Sequence, residues 1–99
     1  MSKYITDTVL AVLTTTPVKV KEITALTGYR DKTVRDAVKE LRLKGYKICS
    51  GTQGVWLWDG IDDSYAHTIN RLTKHGWSEI RQARAMQGLP LEGQVQMEV

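Results

Sequence analysis

Between Gly28 and Gly45 the chain reads YRDKTVRDAVKELRLK, and its apolar residues fall at Val34, Ala37, Val38 and Leu41. Spacing of i, i+3, i+4 and i+7 puts all four on one stripe of an α-helix, and such a stripe has to be buried against something. The pattern predicts a helix from about Lys32 to Lys44. Asp31 is placed as its N-cap, where a carboxylate accepts free backbone N–H groups. Gly45 stops the helix, and Gly28 offers a left-handed C-cap to a helix before it. The opposite face carries Lys32, Asp36, Lys39 and Glu40, with Arg35 on a shoulder. Any fold this chain adopts must cover one side of this helix and leave the other side in water.

The flanking segments supply the cover. In SKYITDTVLAVLTTTP, Ile5, Val9, Val12 and Leu13 recur with helical spacing, and Ser2 is placed to cap the start. Three threonines and Pro17 end that helix, because β-branched residues are weak helix formers and the residue before proline avoids the helical region. Val18 to Val20 reads as a brief extended piece. A second helix follows from about Lys21 to Thr27, with Ile23 and Leu26 inward. After Gly45, the β-rich runs Tyr46–Ser50 and Val55–Trp58 flank Gly51-Thr52-Gln53-Gly54, which predicts a hairpin. Trp56 and Trp58 alternate with Val55 and Leu57, so the two pairs face opposite sides. Packing on the C-terminal helix is the expected use of the tryptophans in a chain without phenylalanine; an exposed aromatic patch for a partner is the other reading.

From Asp62 or Asp63 to about Gln87 one further helix is expected. Tyr65, Ile69, Leu72, Ile80 and Ala83 keep one phase through Gly76, with Arg71, Lys74, His75 and Arg81 opposite. Gly76 costs about 1 kcal/mol against alanine and leaves a break as the alternative, after which Trp77 to Gln87 would fold back onto the hairpin. An apolar stripe over more than five turns is longer than the preceding short helices can cover. The expectation is therefore a homodimer in which Tyr65, Ile69, Leu72, Ile80 and Ala83 form the interface. The basic side either follows phosphate or is simply solvated. After Gly88 the periodicity stops, and Pro90 and Gly93 make residues 88–99 a flexible tail. The chain thus divides into residues 1–60, 61–87 and 88–99.

Ninety-nine residues suffice for one small core, and 41% apolar with 25% charged residues excludes wholesale disorder. No run of about eighteen apolar residues suits a membrane span, and Lys3 and Asp7 interrupt any signal sequence, so a cytoplasmic location is expected. Cys49 is the single cysteine, which excludes an internal disulfide and a cysteine-rich zinc site; a small buried hydrophobe is its expected role. His67 and His75 lie about 12 Å apart along a helix, too far to share one metal. With no phosphate-cradling glycine loop and no nucleophile motif, neither an enzyme nor a cofactor is expected. Net charge is +3, but Glu92 and Glu98 sit in a tail without lysine or arginine. The body therefore carries 14 basic against 9 acidic side chains, a net of +5, which suits an anionic partner.

The stretch VKVKEITALTGYRDKTVRDAVKELRLKGYKICSGTQGVWLWD, Val18 to Asp59, resembles the winged helix-turn-helix family. The resemblance implies a mainly α fold with a small β-hairpin: a winged helix-turn-helix plus a long C-terminal helix. It makes EITALTG the supporting helix, DKTVRDAVKELRLKG the recognition helix and YKICSGTQGVWLW the wing. It further implies a double-stranded DNA partner, met by Tyr29, Arg30, Lys32, Thr33, Asp36 and Lys39, with Arg35 adding charge to the same helix. On the wing, Lys47 is the only cation, and Thr52 and Gln53 at the tip either touch phosphate through neutral donors or form just a turn. The chain also resembles small winged-helix proteins of phage or prokaryotic type, which implies a transcription regulator or replication accessory. The charges admit a plainer explanation, since Lys32 with Asp36 and Asp36 with Lys39 can pair along a solvated face. A winged-helix protein-interaction module that binds no DNA is the alternative function.

Overall fold

Ser2 opens the first helix, α1 (Lys3–Val12), its hydroxyl accepting the Tyr4 N–H at 3.2 Å. The structure is a computed structural model, and it describes residues 1–89. Leu13 leaves the helical region, and the chain bends at Thr15 and Thr16 before an extended Val18 leads to α2 (Val20–Thr27). Glu22 steadies the start of α2 by accepting the Lys19 backbone N–H at 3.1 Å. Gly28, at φ 78°, ends it with the expected left-handed cap.

The central helix, α3 (Asp31–Leu43), buries Val34, Ala37, Val38 and Leu41 as their spacing requires. Its N-cap is Arg30, one residue earlier than expected. Asp31 is already helical, and its carboxylate takes the Arg35 guanidinium one turn on. α1 and α2 both pack on α3. Ile23 is buried in the shared core, but Leu26, also expected inward, is 71% exposed: in a helix of two turns only one residue reaches the centre of the contact.

The hairpin pairs β1 (Ile48–Gly51) with β2 (Gly54–Leu57), Cys49 opposite Trp56 and Ser50 opposite Val55. Neither edge is left open. On the β2 side, Val18 and Val55 exchange backbone hydrogen bonds of 2.9 and 2.8 Å, which confirms the extended piece at Val18. Gly54 permits this approach: at φ 123°, a Cβ there would lie 2.3 Å from the Val18 carbonyl oxygen. On the β1 side, the Ser50 N–H donates to Thr68 Oγ1 at 3.2 Å, bringing a helix against the strand. Such cover removes the open hydrogen-bonding edge that invites pairing with another chain.

The C-terminal region corrects the sequence expectation. There is no single long helix: α4 (Ser64–Thr73) and α5 (Trp77–Met86) are separate, with Gly76 the extended N-cap of the second. α5 turns back to pack on α4 and α3, while α4 lies against β1. Leu72, Ala83 and Met86 close a second, smaller core with Tyr65 and Ile69 against it. Each half of the apolar stripe is thus covered within the chain, and the shared phase across Gly76 does not require continuity. Trp58 stacks on Tyr65 with ring centroids 4.6 Å apart and donates to the Asp62 carbonyl at 2.9 Å. Trp56 donates to Ser64 Oγ at 3.2 Å, so both tryptophans pack on the start of α4. Cys49 is buried and free. The tail expected from residue 88 falls, from residue 90 on, outside the described residues. Among these, no helix is long and apolar enough to cross a membrane.

Candidate functional site

With its apolar stripe buried, α3 presents Lys32, Arg35, Asp36 and Lys39 outward. Lys32 and Asp36 form an exposed i, i+4 ion pair at 3.0 Å, and Asp31 pairs with Arg35 in the same way. Exposed pairs of this kind are worth only about 0.3–0.5 kcal/mol, so a competing anion displaces them at small cost. Arg30 and Lys39 make no ion pair with any described residue.

The remaining residues expected at a DNA contact divide. Tyr29 is half-buried and packs against the main core, and Thr33 is half-buried. Thr52 and Gln53 are exposed at the hairpin tip. Lys47 stands at the other end of the hairpin, its ammonium 5.8 Å from the Tyr65 ring centroid. The structure therefore groups Arg35 with Thr52 on the walls of one cleft and leaves Lys47 elsewhere. Of the residues expected at a dimer interface, Leu72 and Ala83 are buried in the second core, Tyr65 and Ile69 pack against it, and Ile80 is half-buried.

Two adjoining clefts, of about 340 and 400 Å³, run between α2, α3, the hairpin and the C-terminal helices. They share Val20, Arg35, Ser50 and Val55 on their walls. The larger one gathers Lys19, Lys21, Arg35 and Arg71 around Ser50, with Asp31 its single carboxylate among the described residues. Lys19 and Lys21 come from the start of α2, a region the sequence pattern treats only as structural.

Ser50 is the junction of this region. Its hydroxyl accepts from Arg42 Nη2 at 3.0 Å and also from Arg71, and its carbonyl accepts Arg71 Nη2 at 3.0 Å. Arg42 is only 6% exposed, although it carries a charge. It also donates through Nε to the Ile48 carbonyl at 3.0 Å and through Nη1 to Gln82 Oε1 at 3.3 Å. Every one of these acceptors is neutral. Burial away from water, and then the nearby Arg71 charge, lower the Arg42 pKa to about 10. The signal that places Arg42 inside is its spacing: four residues after Val38 and eight after Val34, it lies at the margin of the apolar stripe.

No family model, no curated protein and no solved structure matches this chain.

Proposed function

We propose that this chain is a winged helix-turn-helix protein that binds double-stranded DNA, with α3 as its recognition helix and the hairpin as its wing. The observation that carries the reading is the packing of α1 and α2 on one side of α3, which leaves Lys32, Arg35 and Lys39 outward beside a cation-lined cleft. A helix so presented fits the major groove, where side chains reach base edges, while cations beside it meet phosphate. Asp36 is compatible with this role, since a carboxylate can accept from cytosine N4. A transcription regulator or replication accessory of phage or prokaryotic type is the biological role in keeping with this reading.

A second copy is not needed to complete it. The reason for a homodimer is an apolar stripe without cover, and the α4 and α5 halves of that stripe pack on each other, with α3 against α5 and β1 against α4. The alternative of a protein-interaction module loses its strongest candidate patch, because Trp56 and Trp58 pack on α4.

The test is paired alanine substitution of Lys32 and Lys39, which are exposed and whose loss leaves the core intact. Binding to duplex DNA should weaken across unrelated sequences while the melting temperature holds. Unchanged affinity at both low and moderate salt would refute the assignment of this face.

A further inference from the structure

We propose that the cleft around Ser50 is a phosphate-binding site which, given the DNA-binding reading above, holds a backbone phosphodiester between α2, the wing and α4. Four cations from three separate elements converge there: Lys19 and Lys21 at the start of α2, Arg35 on α3 and Arg71 on α4. The one carboxylate that the described residues bring to the wall, Asp31, is already engaged with Arg35. Behind the wall lies Arg42, whose hydrogen bonds all go to neutral acceptors.

Two guanidinium groups therefore share the Ser50 hydroxyl with no anion of the described residues between them. Like charges held this close in a partly desolvated place repel, and a phosphate entering the cleft relieves that repulsion while gaining charge-assisted hydrogen bonds. The chemistry selects phosphate because guanidinium forks match its oxygens in pairs and lysines add charge without demanding geometry. The backbone around the cleft is held in place. Ser50 is bound through its N–H to Thr68 on α4, and Val55 is bonded to Val18 just before α2, so the hairpin is tied to two of the helices that carry the cations. The α4–α5 pair thereby gains a role beyond covering apolar surface: it brings Arg71 to the wing and holds Arg42 through Gln82.

The test uses the full chain in two arms. In the first, inorganic phosphate is titrated against chloride at matched ionic strength, reading the melting temperature and the backbone amide shifts of Ser50, Gly51 and Lys19. Phosphate should raise the melting temperature saturably and move those amides. Both effects should disappear in Arg71→Gln and in the exposed double variant Lys19→Gln/Lys21→Gln, and persist in Arg81→Gln, whose side chain lies outside the cleft. The double variant keeps the test decisive if Arg71→Gln fails to fold. Absence of the phosphate effect in the wild type, or its survival in the double variant, overturns the site.

The second arm measures duplex DNA affinity against salt. Removing the Arg71 charge should reduce the salt slope by about 1, and removing Arg81 should not. If phosphate binds but the Arg71→Gln slope matches wild type, the assignment of the cleft to a nucleic-acid phosphodiester is overturned. If phosphate binds with the predicted residue dependence and the chain binds no DNA at any salt, the phosphate site stands and the DNA-binding reading fails.

Discussion

A guanidinium buried on neutral acceptors makes Arg42 the most exacting side chain in the molecule. Arg42→Ala leaves the Ile48 carbonyl, Ser50 and Gln82 short of a donor, and should lower unfolding free energy by about 1–3 kcal/mol, read from the shift in a urea midpoint. Its pH signature follows from the direction of the shift. The folded-state value, about 10, lies below that of an ordinary guanidinium, so burial of the charge counts against folding wherever both states are protonated, and that cost fades only as pH rises above about 10. Wild type and Arg42→Ala should therefore give parallel stability profiles from about pH 5 to 9, and diverging profiles there would contradict the assignment. Leu41, 2% exposed, belongs to a simpler class, and Leu41→Ala should cost about 2–5 kcal/mol in the same measurement. The two residues differ in how legible they are. Leu41 is evident from spacing, because apolar periodicity reports burial directly. Arg42 is legible only in part: its spacing sets it at the margin of the apolar stripe, but the groups that hold it there are Gln82, forty positions away, and a strand edge that local pattern does not place.

At the scale of elements, two glycines separate what a position's neighbours demand from what its own conformation demands. Gly54→Ala drives a Cβ into the Val18 carbonyl at a φ that L-residues rarely adopt. It should destabilise by more than about 1 kcal/mol and free the Val18 and Val55 amides to exchange. Gly76→Ala should change stability by no more than about 0.5 kcal/mol and leave α4 and α5 separate, because Gly76 is extended with φ −77° and the added methyl meets only Glu79 Oε2 at 3.5 Å. Helical periodicity places α1, α2 and α3, and the β-rich runs around Gly51 to Gly54 place the hairpin, each to within a few residues, since each has its own turn or cap signal. It failed at residues 74–76, where five apolar residues in one phase read the same whether the helix continues or folds back on itself. What decides is tertiary: Ala83 and Met86 find cover against Leu72 only after a reversal. The α3 face of the candidate site was legible for a related reason, because it is the complement of the buried stripe. The cleft was not, since Lys19, Lys21 and Arg71 meet only in the folded chain.

For the molecule as a whole, covering the apolar stripe from within removes the reason for a second copy. Sedimentation equilibrium at high micromolar concentration should return the single-chain mass of 11.2 kDa, and a mass twice that would mean that another surface mediates association. Charge completes the picture at this scale. Arg35 belongs both to the outward face of α3 and to the cleft wall and so joins the two groups of cations, while the acidic tail residues Glu92 and Glu98 lie outside the described region. The measurement that bears most directly on the proposed function is therefore the affinity of the full chain for random-sequence duplex DNA across a salt series. With four to six phosphate contacts from α3 and the cleft, log affinity should fall linearly against log salt with a slope of roughly −4 to −5. A chain that does not bind duplex DNA even at low salt, or binds it with an affinity indifferent to salt, would contradict the assignment of this surface to DNA.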